Sequence, residues 1–403
     1  MPLALLALAI GAFGIGTTEF VIMGVLPQVA GDFGVTIPTA GWLVSGYALG
    51  VVIGAPLLTV LGTKVSRKKM LMFLMALFVV GNALSAVAPS FGVMLIGRIV
   101  ASLAHGAFFG IGSVVAADLV APQKKASAIS LMFMGLTVAN IVGVPGGTYI
   151  GQAAGWRITF ALVASLGVIG FLGVAKLVPE MGRPQTESVR TEFAAFRNVQ
   201  VWLAMAMTVL GYGGVFAAIT YITPMMTEVA GYTEGAVTWL LVLFGIGMFL
   251  GNLVGGKLAD RALMPMLFTA LAALTATLLL FTATAHNKVL AAITISLIGA
   301  FGFATVPPLQ KWVMDQASTA PTLASAANIG AFNLGNALAA WLGGIVIATG
   351  LGYTAPNWVG ALLSGSALLL SLLAARLDRR TRKPGHVVGR SQPSVSAPVA
   401  VRR

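Results

Sequence analysis

The 403-residue chain has no cysteine, only 3 histidines and only 11 acidic residues. Without cysteine there is neither a disulfide nor a thiolate metal site. The shortage of acids and histidines removes most enzyme readings as well. No H-E-x-x-H pair and no paired carboxylates lie in the apolar segments, and no G-x-x-x-x-G-K-[ST] phosphate loop occurs. Neither enzymatic turnover nor direct drive by ATP is expected, and no cofactor is called for. Charge of either sign is scarce, at 9% of residues, where a soluble domain carries about 25%.

Hydrocarbon fills the gap, at 58% of residues. It comes in blocks of about 20 residues or more, enough to cross about 30 Å of bilayer core at 1.5 Å per residue. The blocks fall near 3–25, 41–62, 70–88, 92–117, 126–150, 157–178, 201–225, 236–258, 263–284, 289–310, 322–348 and 357–376. Backbone in lipid must satisfy its own hydrogen bonds, so all twelve are expected to be helices. The first block opens Met1-Pro2-Leu3-Ala4 without a positive leader and runs longer than a signal-peptide core, so it reads as a retained helix.

Basic residues set the orientation. All except Arg98, Arg157 and Lys288 fall in alternate connections, beginning with Lys64, Arg67, Lys68 and Lys69, or in the tail. Both termini are therefore expected in the cytoplasm, in a multi-pass protein of a bacterial inner membrane. The +13 net charge follows from this asymmetry and implies contact with lipid headgroups rather than nucleic acid.

A weak repeat runs at one offset of 197 residues: Pro27 matches Pro224, Trp42 matches Trp239, Gly50 and Gly54 match Gly247 and Gly251, and Lys64 matches Arg261. Six blocks precede the midpoint and six follow, so the copies share one orientation. The expected fold is an all-α membrane protein of twelve transmembrane helices in two six-helix, pseudo-symmetric bundles, 1–178 and 201–376. A polar cytoplasmic linker, 179–200, joins them, and a basic tail, 377–403, is too poor in apolar residues to fold alone. A parallel repeat of this kind suits a monomeric transporter with its site between the halves.

Two charged side chains interrupt the apolar blocks. Glu19 and Arg98 lie ~9–12 Å inside the outer boundary, on antiparallel spans. An ionised group in hydrocarbon costs at least ~2.5–3.5 kcal/mol, so such a residue usually faces a cavity, a partner or a proton. Two readings stand: a direct or water-bridged pair that handles protons, or a Glu19 that snorkels outward beside an Arg98 that caps backbone carbonyls. His105, two helical turns after Arg98, is a second proton-route candidate or an interhelical hydrogen-bonder. Gly106, Gly110 and Gly112 form a small-residue face for helix contact. Pro145, with Gly146 and Gly147, breaks helix regularity in the fifth block, as a gating bend or an ordinary kink. Tyr47, Asn140, Tyr212, Tyr221, Asn333 and Asn336 are the candidates for a substrate cavity, interhelical bonding being their plain alternative.

Together these segments resemble the major facilitator superfamily over nearly the whole chain. Gly16-Thr17-Thr18-Glu19-Phe20, Arg98 with His105-Gly106-Ala107-Phe108-Phe109-Gly110, and Gly155-Trp156-Arg157 look like its twelve-span drug:proton antiporter branch, similar to arabinose-efflux-permease and chloramphenicol-resistance-like exporters. The resemblance implies proton coupling through Glu19 and Arg98, and gating through Pro145 and its glycines. The superfamily's loop motif occurs as Gly256-Lys257-Leu258-Ala259-Asp260-Arg261, and in altered form around Lys64 and Arg67, where Thr63 replaces the usual Asp. That motif implies a latch at the cytoplasmic side. The expected function is proton-driven efflux of small, mainly apolar compounds such as drugs; symport or facilitated diffusion of a sugar or metabolite is the alternative.

Overall fold

A computed structural model of the chain describes residues 3–62, 65–121, 125–180, 194–317 and 321–381. Span 1 is Leu3–Gly24, span 2 Trp42–Gly62, span 3 Arg67–Ala86, span 4 Phe91–Asp118 and span 6 Trp156–Leu177. Span 5 runs over 125–154, a helix Lys125–Val138 and a helix Val144–Ala154 joined through a π turn, Ala139–Gly143. That wide turn falls just before Pro145, which has no N–H to offer the preceding turn. Span 7 is Val199–Ile219, span 10 is Lys288–Ala304 continued by Val306–Gln316, span 11 is Pro321–Val346 with its extension Ile347–Leu351, and span 12 is Ala355–Thr381.

Spans 8 and 9 are fused in one helix, Glu234–Thr284, of 51 residues. At 1.5 Å per residue it would be about 76 Å long, far more than a bilayer crossing. Ala262, with φ −154° and ψ 79°, breaks it, and Pro265 follows. It therefore counts as two crossings, 234–261 and 263–284, which makes twelve among the described residues, with Leu3 and Thr381 at one end of the bundle. Every span carries at least one large apolar side chain on the outside, from Leu6 and Ile53 to Trp239, Leu279 and Leu369. Only a lipid-facing surface tolerates so much exposed hydrocarbon.

The internal repeat is visible in the packing. Gly50 and Gly54 let span 2 approach the Ile99 and Leu103 carbonyls of span 4, and Gly247 and Gly251 let span 8 approach those of Ser296 and Ala300 on span 10. Each contact and its counterpart are related by the 197-residue offset at both partners. Gly106 and Gly112 likewise abut Ala55 and Met132, but Gly110 meets nothing within 4 Å. It does not belong to the contact face expected of all three.

Spans 1 and 7 both end earlier than their apolar blocks. Val25 (φ −115°, ψ 12°) and Tyr221 (φ −108°, ψ 22°) break the helices, and short helices Leu26–Phe33 and Ile222–Glu228 follow. Pro27 cannot donate to the Met23 carbonyl one turn back. The Thr223 hydroxyl of the other half donates to it instead, at 2.7 Å. At this end, opposite the termini, the two halves share one apolar core, from Phe20–Ala30 and Leu43 to Tyr212–Met226 and Leu240–Met248. Gln28 Nε2 donates to Glu234 Oε2 at 2.7 Å, and Ser45 Oγ to the Ala337 carbonyl at 3.1 Å. At the end that carries the termini the core divides: one cluster draws only on residues 4–178, the other only on 201–374. The halves are sealed at one end and parted at the other.

A valine at Gly251 would drive its Cβ into the Ala300 backbone, so Gly251→Val is expected to destabilise the protein by about 1–3 kcal/mol. Gly330→Ala, where a Cβ meets nothing within 4 Å, should leave stability unchanged or raise it by up to about 1 kcal/mol. Thermal unfolding of the two variants in detergent makes the comparison.

Candidate functional site

Glu19 lies five residues from the end of span 1, Tyr47 five from the start of span 2 and Arg98 seven from the start of span 4. All three therefore sit about 8–10 Å below the sealed end. Arg98 is 1% exposed and directs its guanidinium at backbone: Nη1 donates to the Thr18 carbonyl at 2.6 Å, Nη2 to the Glu19 carbonyl at 3.5 Å and Nε to the Leu43 carbonyl at 3.4 Å. Nη1 also donates to Thr18 Oγ1 at 3.2 Å; that hydroxyl donates to Asn82 Oδ1 at 2.5 Å, and Asn82 Nδ2 to the Phe78 carbonyl. Arg98 further stacks on Tyr47, 4.3 Å from the ring centroid. One cation thus ties spans 1, 2, 3 and 4 together.

The Glu19–Arg98 ion pair considered from sequence is not formed. Among the described residues the three ion pairs are Arg67–Asp118, Arg157–Asp32 and Lys311–Asp260. The physical reason is local. Arg98 finds carbonyl oxygens on the very turn that carries Glu19 and on span 2, and these satisfy its donors without the carboxylate. The Glu19 carboxylate, on a residue 9% exposed, has no hydrogen-bond partner among the described residues. It lies within electrostatic range of Arg98 and Tyr47 in its own half and of Tyr212 in the other. An acid with uncommitted lone pairs, held where the halves meet, can take up a proton without breaking a bond.

His105 lies two turns further from the sealed end, its Nδ1 3.3 Å from the Tyr47 hydroxyl and its ring packed on Phe109. Tyr47, taken from sequence as a cavity residue, is instead the link between Arg98 and His105. Tyr212 does face the middle, in an aromatic cluster with Phe216, Phe303 and Phe332 at centroid distances of 5.7, 5.4 and 5.0 Å. Phe216 touches Phe20, the neighbour of Glu19, at 5.4 Å. Tyr221 belongs to the seal: its hydroxyl donates to the Ala340 carbonyl at 2.8 Å and its ring end abuts Gly41. Asn333 and Asn336 are 4% and 2% exposed, and the Oδ1 of each is buried without a partner. Asn140 lies in the π turn and donates to the Leu136 carbonyl.

Pro145 starts the second helix of span 5, and Gly143 and Gly147 pack against Thr17 and Val21 of span 1, next to Glu19. Gly146 meets nothing within 4 Å. At the parted end Asp260 pairs with Lys311 at 3.1 Å and Arg67 with Asp118 at 2.6 Å, each within its own half; Arg261 is exposed there. Neither pair crosses between halves, so among the described residues these loop side chains form no ion pair from one half to the other. Lys64 lies outside the described residues. Sequence reasoning missed Thr18, Ser45, Gln28 and Thr223, whose hydroxyls and amide carry no charge and no periodic mark.

The 197-residue offset puts Phe216 where the first half has Glu19, Ile295 where it has Arg98, Phe244 for Tyr47 and Gly302 for His105. Ionisable groups at depth thus occupy one half, opposite aromatics in the other. Twelve crossings in two like-oriented halves, parted at one end around such a site, define a membrane transporter of the two-bundle type. The family model of the Major Facilitator Superfamily matches residues 8–331, and the chain belongs to that family, one of transporters rather than enzymes. It is 50% identical over 377 residues to the inner membrane transport protein YdhP of Escherichia coli (strain K12), covering 94% of this chain and 97% of that one. It is 35% identical over 380 residues to a chloramphenicol resistance protein of Streptomyces lividans, covering 92% and 96% of the two chains. The crystal structure of a D-xylose-proton symporter matches with a TM-score of 0.74 over 91% of this chain and 96% of that one, at 15% identity, a likeness of fold alone.

Arg98→Met removes the guanidinium that joins spans 1, 2 and 4, and is expected to cost about 1–3 kcal/mol. Arg98→Lys keeps the charge but not the fork, and should recover less than half of that loss. Chemical unfolding of the three proteins gives the ranking.

Proposed function

We propose that this chain is a proton-coupled exporter of small, mainly apolar compounds, residing as a monomer in a bacterial inner membrane with both termini in the cytoplasm. The observation that carries the reading is the Glu19 carboxylate, the acid without a side-chain partner at the meeting of the two halves. Alternate connections rich in Lys and Arg lie at the parted end, so the positive-inside rule assigns that end to the cytoplasm and the state to the inward-facing one. A proton taken from outside neutralises the acid and favours return of the empty carrier; its release inward frees the site for cargo. Such a cycle needs cargo and proton to prefer different states, since equal affinity shifts nothing. Tyr47, at the depth of this acid, and His105, two turns further toward the cytoplasm, belong to its proton route; Tyr212 and its aromatic neighbours, with Asn333 and Asn336, form the cargo wall. No cofactor is required beyond the proton gradient.

The printed name of the Streptomyces lividans relative, chloramphenicol resistance protein, supports an apolar drug as cargo. A second reading, proton symport or facilitated diffusion of a sugar or metabolite, draws on the orphaned Oδ1 atoms of Asn333 and Asn336, which could accept from hydroxyls. Counterflow of labelled sugars against chloramphenicol in proteoliposomes separates the two.

In those proteoliposomes, adding chloramphenicol is expected to move protons in the opposite direction. Glu19→Gln should bring that movement to background while the protein elutes and unfolds as before. Drug flux that ignores an imposed pH gradient would sink the coupling. Gln28→Cys with Glu234→Cys in this cysteine-free chain, bridged by a short bifunctional reagent, should arrest transport, and reduction of the bridge should restore it.

A further inference from the structure

A cavity lies away from Glu19, where spans 5 and 8 meet at the boundary between the halves. The two helices touch backbone to backbone: Gly245 lies against the Asn140 carbonyl so closely that no Cβ fits. Toward the parted end they diverge. Seven residues along each helix, about 10 Å, the contact has become a cleft of about 180 Å³ with Phe133 and Thr137 on one wall, Phe249 and Asn252 on the other, and Phe303 at its back. Exposed apolar strips flank it, Val138 and Val142 on span 5, Ile246 and Leu250 on span 8. The mouth therefore opens to lipid and the back to the interior.

The chemistry of the lining is specific. Asn252 is exposed about 13 Å from the end of span 8 at Arg261, at hydrocarbon depth, and makes no hydrogen bond among the described residues. An amide left unpaired in hydrocarbon costs several kcal/mol. Around it stand three rings and the Asn140 amide. An acyl chain would leave the Asn252 amide unpaired, whereas a ring carrying one amide or hydroxyl would satisfy it and stack on the rings; Asn140, whose Nδ2 already donates to the Leu136 carbonyl, offers its Oδ1. The volume is below the roughly 300–1,000 Å³ of drug-sized sites and suits one ring with its polar substituent.

The cleft is also wired inward by ring contacts. Phe133 stacks on Phe109 at 5.1 Å, and Phe109 packs on His105 at 5.4 Å. On the other side Phe303 packs on Tyr212. Both walls thus end at groups that face the Glu19 region.

We propose that this cleft is a binding site for a small aromatic molecule with one hydrogen-bonding group, taken from the inner leaflet and held by Asn252 and Asn140 before it enters the central site. The inference rests on the proposed function in taking the cargo to be apolar and the parted end to be cytoplasmic, and its test involves no proton gradient.

Because the chain has no cysteine, single thiols report single places. Thr137→Cys in the cleft and Val138→Cys beside it, in lipid nanodiscs, are reacted with N-phenylmaleimide and N-ethylmaleimide; the ratio of the two rates cancels thiol reactivity. The ratio at residue 137 should exceed that at 138 by about fivefold or more, and Asn252→Leu should remove most of the gain, the worth of one hydrogen bond. Equal ratios at the two positions overturn the site. A ratio untouched by Asn252→Leu overturns the assigned ligand class. An equal or larger gain for N-dodecylmaleimide makes the occupant a lipid chain and overturns it as well. Phe249→Cys, on the opposite wall, repeats the measurement should Thr137→Cys fold poorly, and thermal unfolding of each variant establishes which are native.

Discussion

The grip of Arg98 on the backbone of spans 1 and 2 is the contact on which the site depends. A buried guanidinium must satisfy its donors. Here the satisfying oxygens are carbonyls of Thr18, Glu19 and Leu43, which belong to helices rather than to an acid. The cation is therefore held without consuming a negative charge. Glu19 feels its field but is not bound by it, and its protonation can change while the helix packing stays as it is. A formed ion pair would do the opposite: breaking a buried pair by neutralising one partner costs about 3–5 kcal/mol, and every proton uptake would strain the bundle.

The division of labour between the halves follows from the same economy. Two copies of one packing scheme, with glycines of spans 2 and 8 against carbonyls of spans 4 and 10, set the backbone. Within that shared frame the first half places Glu19, Arg98, Tyr47 and His105, and the second places Phe216, Ile295, Phe244 and Gly302 at the corresponding positions. A second buried cation or acid would add its own desolvation cost and pull on the first. Aromatics opposite the acid instead keep the space apolar, so the charge state of one residue dominates the electrostatics of the whole middle.

Much of this was legible in the sequence because it rests on rules that act on one residue or one period at a time. Apolar length gave the spans, the Gly50 and Gly54 pair with its echo at Gly247 and Gly251 gave the duplicated packing, and two charges in hydrocarbon marked Glu19 and Arg98. What was not legible depends on pairs brought together across about 200 residues. Nothing in Thr223 signals that it would cap the carbonyl freed by Pro27, and nothing in Tyr221 separates a sealing residue from a cavity residue. The Glu19–Arg98 pair and its alternative, an Arg98 that caps carbonyls, could not be separated for a related reason. Depth along two helices is readable from residue count, but whether a guanidinium meets a side chain or the turn beneath it depends on helix rotation, to which the count is blind. Gly110 fell the same way: it lies one turn from Gly106, yet it turns away from the neighbour.

The composition of the seal completes the argument. Its inter-half polar contacts are hydroxyl to carbonyl, as with Thr223 and Met23 or Ser45 and Ala337, and amide to carboxylate, as with Gln28 and Glu234. Hydrogen bonds of this kind contribute about 0.5–1.5 kcal/mol each, or about 1.5–3 where one group is charged. The three together amount to a few kcal/mol. Moving a two-state equilibrium from 1:99 to 99:1 takes about 5.5 kcal/mol, so these polar contacts by themselves do not lock the seal; the apolar core that the halves share carries the rest of the closure. A seal built from buried ion pairs would have locked the bundle, and one built from apolar contact alone would have had no defined register. Neutral donors on the Met23 and Ala337 carbonyls set the register of the two halves, while the apolar core around them supplies the contact area.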